Sequence, residues 1–135
     1  MAAEAHRGQR YPSPEPEPYV LHPLRIMLCF RDLVDQMAAV LHDAIEDSDL
    51  EVRDLVEAGY PAEVVAAVDC LTHRTDESYD EYIERLAANE VARRVKIADL
   101  TENLANNLRF PDRLSNAERI ARYEAALARL DVTSS

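Results

Sequence analysis

The chain is short of the residues that punctuate sheets and staple small folds. It has two glycines, Gly8 and Gly59, and no tryptophan, while Ala, Leu, Glu and Arg abound. That balance favours helices over sheets and predicts an all-α protein. Cys29 in "IMLCF" and Cys70 in "AVDCL" are the two cysteines. Neither shows CxxC or His-rich spacing, so both read as reduced core residues. Positive charge is scarce as well: 15 Lys and Arg against 26 Asp and Glu give a formal net charge of −11. This excludes broad affinity for a phosphate backbone, so duplex DNA or RNA is not an expected partner. An anionic ligand must instead be met by a local basic patch or a metal ion. No apolar run approaches membrane-spanning length, and "MAAEAHRGQR" lacks the apolar centre of a signal peptide. The expected location is cytoplasmic, with no membrane partner.

What is present is enough for one domain. The 135 residues are 47% apolar, which supports a single core and a compact bundle of about six to eight helices. Five of the seven prolines lie between Pro12 and Pro23, so residues 1–21 are expected to be mostly an extended leading loop. A helix should start near Pro23 and run through "LRIMLCF", and the next should carry "VLHDAIEDSD", residues 40–49. Ser48 or Asp49 suits the cap of a short helix, "LEVRDLVEA", which Gly59 ends before Pro61 opens another. Ser78 suits the cap of "YDEYIERLAAN"; residues 90 to about 107 form a long amphipathic segment, and "NAERIARYEAALARL" a last helix. Residues 131–135 read as a frayed tail. On the last helix Ile120, Leu127 and Leu130 suit a core or a second subunit equally well, which leaves a homo-oligomer open.

Three places put metal-type ligands on otherwise apolar helices: His22, the doublet His42 and Asp43, and Asp99 in "KIADLTEN". Imidazole nitrogen and carboxylate oxygen together suit a hard or borderline divalent cation, and two of each leave positions open for water and a phosphate oxygen. Glu46 lies four residues after His42 and overlooks the same face; Asn103 stands in the same relation to Asp99. Lys96, three residues before Asp99, suits a phosphate, or simply solvates its helix face. A plainer reading makes His42 and Asp43 a satisfied helix histidine beside a surface carboxylate, and Glu46 and Asp47 ordinary acids near a helix end. His6 reads as a first-turn or loop residue and His73 as a helix-end residue, neither with an evident partner. Tyr60, Tyr79, Tyr82 and Tyr123 read as core or rim.

The flanking text carries a resemblance. "AHRGQR", "PYVLHP", "HDAIED", "LT" and "VKIADLTEN" follow one another over residues 5 to 107 in an order that resembles the HD superfamily of metal-dependent phosphohydrolases. Within it they look like the hydrolase domain of Rel/Spo-type stringent-response enzymes and their small alarmone-hydrolase relatives. The resemblance implies that His22, His42, Asp43 and Asp99 hold one Mn2+, that Glu46 and Asp47 orient or deprotonate the attacking water, and that Arg10 and Asn103 contact a small nucleotide; Lys96 joins them as a candidate phosphate contact by its place on the helix alone. The implied reaction removes the 3′-pyrophosphate of guanosine tetra- or pentaphosphate; the synthetase half of the long relatives is absent, so no synthesis is expected. "YPSPEPEP" stands where those enzymes have a basic, glycine-containing loop, and it places Glu15 and Glu17 at positions of positive charge. Hydrolysis of another nucleotide or phosphoester, or a non-catalytic nucleotide-sensing module, therefore stays open beside the leading reading.

Overall fold

The computed structural model describes residues 1–10, 18–109 and 116–133. Eight helices occur among them: α1 (Ala2–Ala5), α2 (Leu21–Met27), α3 (Leu33–Leu41), α4 (Val52–Glu57), α5 (Ala62–Leu71), α6 (Tyr79–Ala87), α7 (Glu90–Arg109) and α8 (Asn116–Thr133). No strand forms among the described residues, where an isolated bridge pairs Arg10 with Pro18. The all-α expectation is met.

Much of this follows from local chemistry. Asp32 caps α3 by accepting from the backbone N–H groups of Val34 and Asp35, at 2.9 and 3.3 Å. Ser78 caps α6, its hydroxyl accepting from Glu81 N–H at 3.1 Å while the Glu81 carboxylate accepts from Ser78 N–H at 3.2 Å. Both groups satisfy amides that a helix start leaves orphaned. Gly59 adopts φ +89° directly after α4. The N–H of Gly59 then reaches Val56 O at 3.1 Å and that of Tyr60 reaches Leu55 O at 3.2 Å, a Schellman closure that needs the left-handed conformation glycine allows.

Several boundaries differ from the sequence pattern. The cap of α4 is Glu51, whose N–H donates to the Asp54 carboxylate at 2.7 Å. Ser48 instead turns back to Ala44 O at 2.6 Å, so neither it nor Asp49 caps that helix. Among the described residues of the leading segment, the good helix formers Ala2–Ala5 make a turn of helix instead of extended chain, which Gly8 follows at φ +78°. Most of the proline-rich stretch, residues 11–17 with Glu15 and Glu17, lies outside the described residues. Residues 131–133 continue α8 rather than fraying. α2 stops at Met27, three residues short of Phe30, so Cys29 falls in the turn beyond it and is exposed, not buried; Cys70 on α5 is half-buried.

The buried side chains form two clusters. One joins Ile26, Ala38, Ala39, Leu71, Ile83, Leu86, Val95, Leu100 and Leu130 from α2, α3, α5, α6, α7 and α8. The other joins Ala2, Leu41, Leu55, Val64 and Val68 from α1, α3, α4 and α5 with Ala44 from the turns after α3. α8 packs along α7, with Leu130 fully buried and Leu127 against the first cluster; these positions face the core. Tyr82 is buried, and Tyr60, Tyr79 and Tyr123 pack at the rims. Six polar or charged residues among those described are buried as well: His6, His22, Asp35, His42, Asp43 and Asp99. Five of them gather at one place.

Candidate metal and phosphate site

α3 does not carry the His-Asp doublet on its ladder. It ends at Leu41, and residues 42–47 form a run of turns. At this end of α3 the ring Nδ1–H of His42 donates to Ala39 O at 2.7 Å, a local side-chain bond that competes with continued helix. A carbonyl can only accept, so this bond settles the tautomer and leaves Nε2 to face the site. Nε2 lies 3.3 Å from Asp99 Oδ1 and 3.5 Å from Asp43 Oδ2. His22, from the first turn of α2, brings its Nε2 to 2.8 Å from the same Asp99 oxygen. Asp99, on the inward face of α7, also accepts from Asn103 Nδ2 at 3.1 Å on Oδ1 and from Lys96 Nζ at 3.0 Å on Oδ2.

The charges are coupled. Burial works against ionisation of Asp99, but Lys96 and His42 outweigh it and hold the carboxyl well below its usual range. For Asp43 burial is likewise overcome, by His42, His6 and Tyr19, and its pKa falls to about 2. The two carboxylates in turn overcome the desolvation of His42 and raise it to about 9. Glu46 and Asp47 go the other way: desolvation raises both, reinforced by the charge of Asp43, and Asp47 reaches about 6. Glu46 is aimed by accepting from the backbone N–H of His73.

These groups line a pocket of about 170 Å³ with Tyr19, Leu71, Tyr82, Lys96 and Asn103. Four carboxylates against one lysine leave an excess of negative charge that favours a cation. His22, His42 and Asp43 each offer a ligand atom within 4.8 Å of the others. A modest inward movement of these side chains would bring all three within coordination distance of one ion. The donors fit a divalent metal. The pocket is smaller than the ~300–1,000 Å³ of a typical small-molecule site, which is room for a phosphate end with the rest of a nucleotide outside.

No family model matches the chain. It is 31% identical over 134 residues to the guanosine-3′,5′-bis(diphosphate) 3′-pyrophosphohydrolase MESH1 of Danio rerio, covering 91% of this chain and 74% of the relative. The human MESH1 is equally similar, 31% identical over 137 residues with the same coverage. The chain belongs to the MESH1 family. A solved structure described as "A metazoan ortholog of SpoT hydrolyzes ppGpp and plays a role in starvation responses" superposes with a TM-score of 0.78 at 26% identity, over 96% of this chain and 80% of the other. The guanosine-3′,5′-bis(diphosphate) 3′-pyrophosphohydrolase of Vibrio cholerae is 42% identical over 73 residues, a stretch that is 51% of this chain and 10% of that one.

In this MESH1-family chain, the residues singled out from sequence converge with one exception. His22, His42, Asp43, Glu46, Asp47, Lys96, Asp99 and Asn103 meet around the pocket. Arg10 is exposed, pairs with Pro18 and is not among the residues lining it. Two residues join that the sequence pattern left out. His6 is buried, with Nε2 3.2 Å from Asp43 Oδ1 and Nδ1 3.9 Å from Asp47 Oδ2. Tyr19 donates its hydroxyl to Asp43 Oδ2, and burial, reinforced by Asp43, raises its pKa so that it stays a donor. Their available signals were faint: Gln9 three residues after His6 across a glycine turn, and Tyr19 three residues before His22.

Proposed function

We propose that this chain is a divalent-metal-dependent phosphohydrolase that removes the 3′-pyrophosphate of guanosine 3′,5′-bis(diphosphate), the substrate named for its MESH1 relatives. The observation that carries this reading is the meeting of His22 from α2, His42 and Asp43 from the turns that follow α3, and Asp99 from α7 in one acidic cluster. These four residues would hold the ion, with Mn2+ the first to test. A divalent ion there supplies Lewis acidity, lowering the pKa of a water and offsetting phosphate charge. Asp47 and Glu46, with carboxyl pKa values raised above the ordinary range, take the proton of the attacking water better than an unshifted carboxylate would. The water oxygen bonds to phosphorus as the bond from phosphorus to the 3′-oxygen breaks, releasing pyrophosphate and restoring a 3′-hydroxyl. Lys96 and Asn103 hold Asp99 and border the space for the phosphates. The reading places the protein in the cytoplasm, where such nucleotides occur.

Incubation of the Mn2+-loaded protein with guanosine 3′,5′-bis(diphosphate) should release pyrophosphate, and Glu46→Ala should lower kcat by about 10²- to 10⁴-fold. No turnover of that nucleotide would remove the substrate claim. A second reading, hydrolysis of another nucleotide or phosphoester, draws support from the small pocket and the net charge of −11, since carboxylates repel a polyphosphate; a nucleotide panel separates the two. A sensor without chemistry has no need to keep four costly buried ligands together, and hydrolysis lost in His42→Ala would exclude it.

A further inference from the structure

The metal reading leaves the N-terminal segment without a task, yet that segment reaches the heart of the site. Gln9 fixes its geometry. The Gln9 amide Nε2 donates to Ala5 O at 3.2 Å and to Asp47 O at 2.7 Å. Carbonyls only accept, so the amide orientation is determined and Gln9 Oε1 must be the acceptor of its 2.8 Å contact with His6 Nδ1. The ring is thereby locked, with its Nε2 edge toward Asp43 Oδ1 at 3.2 Å and off the line of a hydrogen bond. Tyr19 packs against the ring at 4.8 Å between centroids and holds the other oxygen, Oδ2, of Asp43. One imidazole thus sits between the Asp43 and Asp47 carboxylates, while Gln9 ties down the backbone of Asp47. The segment they grip, residues 42–47, has left the α3 ladder and lacks the support of a regular helix.

We propose that His6 and Gln9 form a clasp that positions Asp43 and Asp47, so that the N-terminal segment sets how tightly the site holds its ion. This rests on the metal site described above. Both are positioning residues: they act through carboxylates that face the pocket. Loss of such supporting partners commonly costs 10- to 100-fold in metal affinity.

Mn2+ binding to the purified full chain, measured by titration calorimetry without substrate, tests it. His6→Ala and Gln9→Ala should each weaken Mn2+ by about 10- to 100-fold. His6→Gln should recover to within about fivefold of wild type, because a glutamine amide reaches the position of ring Nε2 and donates to Asp43, whereas His6→Asn, which reaches only as far as Nδ1, should not. Arg7→Ala, at an exposed neighbour, should bind as wild type. A purely structural role would lower Tm in all His6 variants alike and leave the affinities of those still folded unchanged. Wild-type affinity in folded His6→Ala would overturn the clasp alone. Two ions per wild-type chain with one lost in His6→Ala would also overturn it, making His6 a ligand of a second ion with Asp43 and Asp47. No Mn2+ uptake by wild type would refute the metal site itself, and the clasp with it.

Discussion

Asp99→Asn in the metal-free protein is the sharpest perturbation the structure offers. Asp99 is buried and Lys96 largely so, at 6% and 13% side-chain exposure, with Nζ 3.0 Å from Oδ2. The carboxylate, working against burial, keeps the Lys96 ammonium charged and raises its pKa. Asparagine keeps the shape, removes the charge and points an amide donor into a cluster already rich in donors: His22, His42, Asn103 and Lys96. Removing one partner of a buried pair costs about 3–5 kcal/mol. The ring of Tyr82, 5.3 Å from Nζ, offers the stranded ammonium a partial substitute, so the lower end, about 3 kcal/mol, is expected. For a domain of this size that corresponds to a fall in Tm on the order of 10 °C. Calorimetric or circular-dichroism melts in excess chelator measure it free of any metal contribution. The double variant Lys96→Met/Asp99→Asn should regain about half the loss, since no unpaired charge then remains buried. A fall in Tm below about 2 °C for the single variant would refute the assignment of Lys96 and Asp99 as a tightly coupled pair.

Three further outcomes follow from the same contacts. In chelator, the raised pKa of His42 contributes stability that is fully present below its ordinary value of 6.5 and is lost as pH rises through about 9; urea midpoints should fall over that window by an amount on the order of 3 kcal/mol, and a flat profile would contradict it. Mn2+ must displace that proton, so binding near pH 7.5 should release about one proton per chain, read from calorimetric heats in buffers of different ionisation enthalpy. Ser78→Ala removes the hydroxyl that caps α6 and should cost about 1 kcal/mol in chemical denaturation without changing metal affinity; an unchanged midpoint would remove the cap's role.

Where sequence and structure part company, the cause lies in distance along the chain. Several helix boundaries were legible where their determinants sit within four residues of one another: Ser78 with Glu81, Gly59 after α4, Pro61 before α5. The side chains that gather at the pocket stood out as well, because His and Asp in an apolar stretch need a partner. The end of α3 at Leu41 was not legible, since the apolar pattern through Ile45 reads as helix and only the folded site makes the Ala39 carbonyl a better partner for the His42 ring. Cys29 is a similar case, its apolar neighbours giving no sign that α2 stops at Met27.

By itself, then, the order of residues determined the helical class, many of the helix ends and which His, Asp and Glu side chains stand out in apolar stretches, because periodicity, capping and burial cost act over one or two turns. Tertiary structure alone decided that His6 and Tyr19 each engage one oxygen of Asp43, that Gln9 reaches the backbone of Asp47 across 38 positions, and that Arg10 stays outside. Those contacts depend on where α1 comes to rest beside α3, α4 and α5, and α2 and α3 on α7, and core packing, not local pattern, sets that.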